Sequence, residues 1–195
     1  MKMALRCRCG KLQGELDTQG VAARATCYCK DCQAYARFLA AQPDFLDEAG
    51  GTDVAASLPA ALRFTQGLEH LGCMSLSEQG IYRWYATCCR TPIGNTPRDP
   101  KVAYVGVVRA ALADPDPVVD DALGPRRIAV NTGSARRPVA TTPAKTAWAV
   151  VRIGAMIMRA RLTGRYLSNP FFDQGRGRPV TPPQVLSPAE RAALG

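Results

Sequence analysis

The stretch "ATCYCKDCQAYA", residues 25–36, decides how the chain is read. It sets three thiols, Cys27, Cys29 and Cys32, within six positions. That is too crowded for ordinary disulfide pairing and suits thiolates converging on one metal ion. Three protein ligands with an open fourth position is the pattern of catalytic zinc, where water or an incoming thiol completes the tetrahedron. A structural site closed by Cys73 or His70 is the alternative, and spacing alone leaves both open. Three thiolates on a divalent ion carry one net negative charge, which Lys30 or a nearby arginine would offset.

Around this trio lies a second set of thiols. Cys7-x-Cys9, followed by Gly10, places two thiols on a tight turn and forms half of a tetrahedral sulfur site. The adjacent Cys88 and Cys89 of "TCCRTP" supply the other half most simply, stapling the first strand to a distant hairpin. The start, "MKMALRCRCG", holds no apolar run of signal-peptide length, so a reducing, cytoplasmic compartment is expected. Eight cysteines in such a compartment point to metal rather than disulfides. No Gly-rich phosphate loop, Ser-His-Asp set or nucleotide fingerprint competes with that reading.

"CRCG", then "CYCKDCQA", then "RWYATCCRTPIGN" resemble, in that order, the glutathione-dependent formaldehyde-activating enzyme family, which includes centromere protein V. The resemblance covers about residues 3–108. It implies a mainly β, zinc-stapled fold with one structural Zn2+, to which Cys7 and Cys9 match. It implies a second, catalytic-type Zn2+ on Cys27, Cys29 and Cys32, where glutathione binds. The activity implied is that of a carbon–sulfur lyase, joining a small thiol reversibly to an aldehyde. One motif departs from the family pattern, which reads aromatic-Cys-x-x-Cys-Gly-Thr. Here "YATCCRT" puts Ala86 at its first cysteine, Cys89 at its second and Arg90 at its glycine. Cys88, or Cys73 on the paired strand, is then the substitute ligand. The rival reading is a non-catalytic zinc module whose basic C-terminal segment docks to a membrane surface, nucleic acid or protein.

Short runs punctuated by Gly and polar turns predict a small β-rich domain over residues 1–112. "LRCRC" and "KLQGELD" read as strands meeting at Gly10, "LEHLGCMSL" and "GIYRWYA" as a hairpin, and "AYVGVV" at 103–108 as a buried strand. "KDCQAYARFLA" has helical composition with Asp31 as its cap. Tyr28, Gln33 and Tyr35 flank the trio as pocket or core residues. Arg83 reads as a solvated strand residue, or as a contact for an acidic ligand. His70 reads as a partly buried polar residue.

Residues 113–195 differ in charge. Residues 1–121 hold 13 Lys+Arg and 14 Asp+Glu, while residues 122–195 hold 12 Lys+Arg and 2 Asp+Glu, a net of +10. "ADPDPVVDDALGP" at 113–125 reads as an irregular boundary, and "RIAVNTGSA" as a further strand. A long helix is expected over about 144–166, followed by an irregular Gly- and Pro-rich tail. Trp148, Met156 and Met158 on that helix, with Arg152 and Arg159 on a shared face, allow a core-packing helix or one lying on an anionic membrane surface. The positive charge also allows nucleic acid, though without stacking aromatics at regular spacing.

Overall fold

In the computed structural model, which describes residues 1–39, 45–125, 128–173 and 175–195, the N-terminal alternation becomes a hairpin. Strands β1 (Lys2–Arg6) and β2 (Gln13–Asp17) run antiparallel, with Lys2 opposite Asp17 and Arg6 opposite Gln13. Met3, Leu5 and Leu16 face inward between outward neighbours, the period of two of a sheet buried on one side. Both strands stop short of the cysteines, so Cys7 and Cys9 sit in the connecting turn. Strand β5 (Leu62–Gln66) pairs with β2 and completes a three-stranded sheet. Asp17 accepts the Gln19 amide and starts the "TQG" turn into the next strand.

The second sheet holds β3 (Val21–Cys27), β4 (Thr52–Ser57), β6 (Leu71–Ser75), β7 (Tyr82–Ala86), β8 (Pro92–Thr96), β9 (Val105–Val108), β10 (Ala129–Val130) and β11 (Gln184–Val185). Its order is β10-β3-β4-β9-β8-β7-β6-β11, antiparallel except for the two-residue edge strands. The expected β6–β7 hairpin forms, with Cys73 opposite Trp84 and Met74 opposite Arg83. All ten residues of β6 and β7 are buried, because this part of the sheet is covered on both faces. The protein is thus mainly β, in two sheets.

Four helices are described. α1 (Lys30–Leu39) packs Ala34, Tyr35 and Leu39 against Met74, Leu76 and Tyr85. α2 (Asp116–Leu123) replaces the irregular boundary expected there. Pro115 and Pro117 lie at its cap and first turn, where a missing amide costs nothing, so they start the helix rather than prevent it. α3 (Pro143–Leu162) is the long basic helix, ending a few residues short of Tyr166 at a turn through Gly164. α4 (Pro188–Ala193), opened by a Ser187–Glu190 capping box, gives order to a tail expected to be irregular.

Residues beyond 113 return to the sheets repeatedly. Besides β10 and β11, they place Phe171 against Trp84, ring centroids 4.9 Å apart, with Phe172 and Ala160 in the same core. A buried ion cluster ties α2 to the sheet. Arg24 on β3 donates to both Asp53 oxygens on β4, to Asp120 on α2 at 2.6 Å and to the Gly124 carbonyl at 2.9 Å.

Candidate metal centres

The first centre joins the two sheets. Cys7 and Cys9 lie on the β1–β2 turn and Cys88 and Cys89 on the β7–β8 turn, their four sulfurs all within 4.8 Å of one another. Cys7 is 3.6 Å from Cys9 and 3.8 Å from Cys88, and Cys9 is 3.2 Å from Cys88. Sulfurs around a tetrahedral zinc lie about 3.8 Å apart, from Zn–S distances of ~2.3 Å, so the donor set fits such an ion.

Local backbone explains how adjacent cysteines share one site. The Arg90 amide donates to the Ala86 carbonyl at 2.8 Å, and Arg90 itself takes a left-handed conformation at φ 58°. This is the strained turn that brings both sulfurs to one side. Glycine would adopt that conformation freely, whereas an arginine holds it at a steric cost. Gly10, at φ 76°, makes the opposite turn. The Leu12 amide donates to the Cys7 sulfur at 3.3 Å, and the Arg8 amide to the Thr91 hydroxyl. Burial pushes the Cys7 thiol up. Burial also acts on Cys89, but the Thr91 hydroxyl and the Cys9 and Thr91 amides outweigh it and bring Cys89 to about 6. Neither Ala86 nor Cys73 takes part. Ala86 is buried on β7, and Cys73 lies in the hydrophobic core, its thiol pushed up to about 12 by burial.

The second centre is the trio. Cys27 ends β3, Cys29 lies in the connection, and Cys32 sits in the first turn of α1, with all three sulfurs within 4.8 Å. Cys29 performs the capping expected of Asp31. Its sulfur accepts the Cys32 amide at 3.3 Å, while its carbonyl accepts the Gln33 amide. Asp31 is turned outward to Arg191 of α4. The positive end of α1 therefore faces the sulfurs and favours thiolates. Hydrogen bonds from Cys29 and Cys32, with help from the Asn131 carboxamide, hold the Cys27 thiol far below its usual range. The same contacts, with burial, push Cys32 far up against the opposing charge of Arg83.

Among the described residues no His, Cys, Asp or Glu joins the three sulfurs as a fourth ligand. His70 lies beside Glu69, and Cys73 in the core, so neither closes the trio. Arg83 is not solvated. It is 3% exposed, with Nη1 3.9 Å from the Cys32 sulfur and the guanidinium 5.3 Å from the Tyr35 ring centre. Among the described residues no carboxylate pairs with it. A buried cation beside three thiols is the expected offset to their charge, and exposed Lys30 is not needed for it.

Sequence reasoning missed the wall that residues 128–136 build over the trio. β10 runs parallel to β3, with Val130 level with Cys27, and the left-handed Asn131 donates to the Cys27 sulfur at 3.3 Å. Gln33 spans the Tyr28 carbonyl and the Ser134 carbonyl, and Arg136 donates to Gln33. Tyr28 donates to Asp47, and Tyr35 to the Trp84 carbonyl, so these flanking residues brace the site. Tyr104 is also near. Burial, then the Cys27 and Cys32 sulfurs, raise its hydroxyl to about 12. "NTG" carried a weak signal for Asn131, since asparagine tolerates the left-handed turn. Nothing local marked Tyr104.

Fold and sites together define a β protein with two separate all-sulfur donor sets, one of four thiols and one of three. The chain belongs to the DUF6151 family, a family of unknown function, whose model matches residues 1–182. No curated protein matches it. A crystal structure of a Rhodobacter sphaeroides protein is similar at a TM-score of 0.42 and 22% identity, over 61% of this chain and 94% of that one.

Proposed function

We propose that the protein is a zinc protein of the formaldehyde-activating type, a carbon–sulfur lyase in which the trio takes up a small, glutathione-like thiol. The supporting observation is the three-sulfur set without a fourth His, Cys, Asp or Glu partner among the described residues. The four-sulfur set is the structural counterpart, with Cys7, Cys9, Cys88 and Cys89 as ligands.

Zinc held by Cys27, Cys29 and Cys32 would favour the deprotonated form of an incoming thiol. The chain's own groups set the surroundings. Arg83 offsets the negative charge of the sulfurs, and Asn131 and the amide of Cys32 hold two of them in orientation. In the reaction the thiol sulfur bonds to the aldehyde carbon, the carbonyl π bond breaks, and the thiol's proton ends on the oxygen. The product is a hydroxyalkyl thioether, and the reverse step is its elimination.

Cobalt substitution tests this reading. Adding glutathione at millimolar concentration is expected to change the visible spectrum of the trio, and Cys27→Ser, Cys29→Ser or Cys32→Ser to abolish thiol-dependent aldehyde consumption. A spectrum already tetrahedral and indifferent to glutathione would instead support the non-catalytic zinc module.

A further inference from the structure

Helix α3 carries two apolar faces. Ala149, Ile153, Met156 and Ala160, spaced by four, three and four residues, face the sheet, and Ala149 and Ala160 are buried. On the opposite side Trp148, Val151, Ala155, Met158 and Leu162 repeat by three, four, three and four. That second stripe is open, with Trp148 64%, Met158 58% and Leu162 80% exposed. A single surface leucine needs no explanation, but a four-turn stripe along a 20-residue helix does.

The charges beside the stripe identify its partner. α3 contains Lys145, Arg152, Arg159 and Arg161 and no acidic residue. Arg152 and Arg159 lie along one edge of the stripe and Arg161 beyond the other. Arg152, Arg159 and Arg165, three cations against the single carboxylate of Asp17, also line a cavity of about 470 Å³ between α3 and the β2–β3 turn, with Met156 and Ala160. Among the described residues none of these three arginines is in an ion pair with a carboxylate. Bulky apolar residues on one plane, flanked by arginines with a recess beside them, fit anionic headgroups above an acyl layer. A second copy of the helix fits poorly, because stripe against stripe would bring only positive charges together. Nucleic acid would meet the arginines but leave Val151, Met158 and Leu162 in water. Among the described residues no helix is long and apolar enough to cross a membrane, so the geometry is that of a helix lying in the surface.

We propose that α3 is a membrane-docking helix that seats the protein on anionic lipid bilayers. Trp148, Val151, Met158 and Leu162 enter the interface, and Arg152, Arg159 and Arg161 hold the lipid phosphates. The site is independent of both sulfur centres.

Sedimentation of the full chain with vesicles tests it. Vesicles of phosphatidylcholine containing about a third phosphatidylserine are expected to carry the protein down, whereas phosphatidylcholine alone is not. Binding should fall steeply with added salt. Trp84 is fully buried, so a blue shift of tryptophan emission on binding reports Trp148. Each of R152Q, R159Q and R161Q should weaken binding about fivefold. The pair M158S and L162S should abolish the blue shift while leaving the circular dichroism and metal content unchanged. Equal recovery with neutral and anionic vesicles, or none with either, overturns the proposal. So does a dimer in solution that L162S dissociates, since the stripe then belongs to a second copy. If M158S/L162S fails to fold, W148S and the arginine variants decide alone, because those side chains are exposed.

Discussion

Replacing Arg83 with methionine should weaken metal binding at the trio while sparing the metal-free fold. The guanidinium Nη1 stands 3.9 Å from the Cys32 sulfur, and its charge centre about 5 Å away. With an effective dielectric of about 20, one unit charge at that distance is worth ~3 kcal/mol. Methionine keeps most of the volume and part of the contact with Tyr35, so the net loss is about 2–3 kcal/mol, or roughly 30- to 150-fold in metal Kd. Without metal the sign differs. A 3%-exposed arginine lacking a carboxylate partner among the described residues gains little from burial, so the apo melting temperature should hold or rise. Competition against a chromophoric chelator gives the affinity, and calorimetry of the stripped protein gives the melting temperature. Affinity within threefold of the parent in a folded Arg83→Met protein would refute the charge-balance reasoning. So would an apo protein destabilised as strongly as the holo one.

Asp53→Ala should cost about 3 kcal/mol, because Arg24 is left buried with only the half-exposed Asp120 as a carboxylate, and calorimetry should show a melting temperature lower by roughly 6–12 °C. Cys9→Ser should lower it by on the order of 10 °C, since the four-sulfur centre closes a span of 79 residues from Cys9 to Cys88, and excess chelator, which strips both centres, should lower the parent at least as far. Cys73 should resist iodoacetamide at pH 8 in the folded protein and react on unfolding, as mass spectrometry can read. Its folded value of about 12 lies above the ordinary thiol value of 9.0, so its contribution to stability is complete below pH 9 and is lost as pH rises toward 12.

Local chemistry made the cysteine groupings readable, and long-range pairing hid the rest. Cys27, Cys29 and Cys32 lie so close in sequence that a strand-to-helix turn brings them together. Cys7, Cys9, Cys88 and Cys89 could be matched because two short clusters have few ways to complete a tetrahedron. β2 and the β6–β7 hairpin followed from alternation and turn residues, whereas the strand expected over "LRCRC" lies earlier, at Lys2–Arg6, because the Cys7–Gly10 segment turns instead of extending. "AYVGVV" shortened to Val105–Val108 because the Tyr104 amide bonds back to the Val102 carbonyl in a local turn. β4, β5 and β8 gave no such signal, since their places depend on partners up to dozens of residues away. Arg83 was misjudged as solvated because period-two reasoning assumes one wet face, and β7 has none. The acids and prolines of 113–125 looked like breakers, but at a helix start they are favoured. Asn131 reaches Cys27 across 104 residues of sequence, which no local pattern reports.

The placement of Phe171, Phe172 and Asn131 has a consequence for how the chain is made. All eight cysteines have been synthesised by Cys89, yet Trp84, with only Tyr82 beside it, lacks Phe171 and Phe172 until the latter has emerged, 83 residues later. At roughly 5–20 residues per second that interval is about 4–17 s. During it the nascent chain displays its full set of thiols around an unfilled core, and for the first 42 residues of it the Cys27 sulfur has no Asn131 to hold it. Metal arriving in that window meets ligands before their scaffold, so early capture at the four-sulfur centre would fix the two sheets relative to each other while the ribosome is still at work. Oxidant arriving first would meet the same thiols unguarded, which makes the order of supply during translation a determinant of yield.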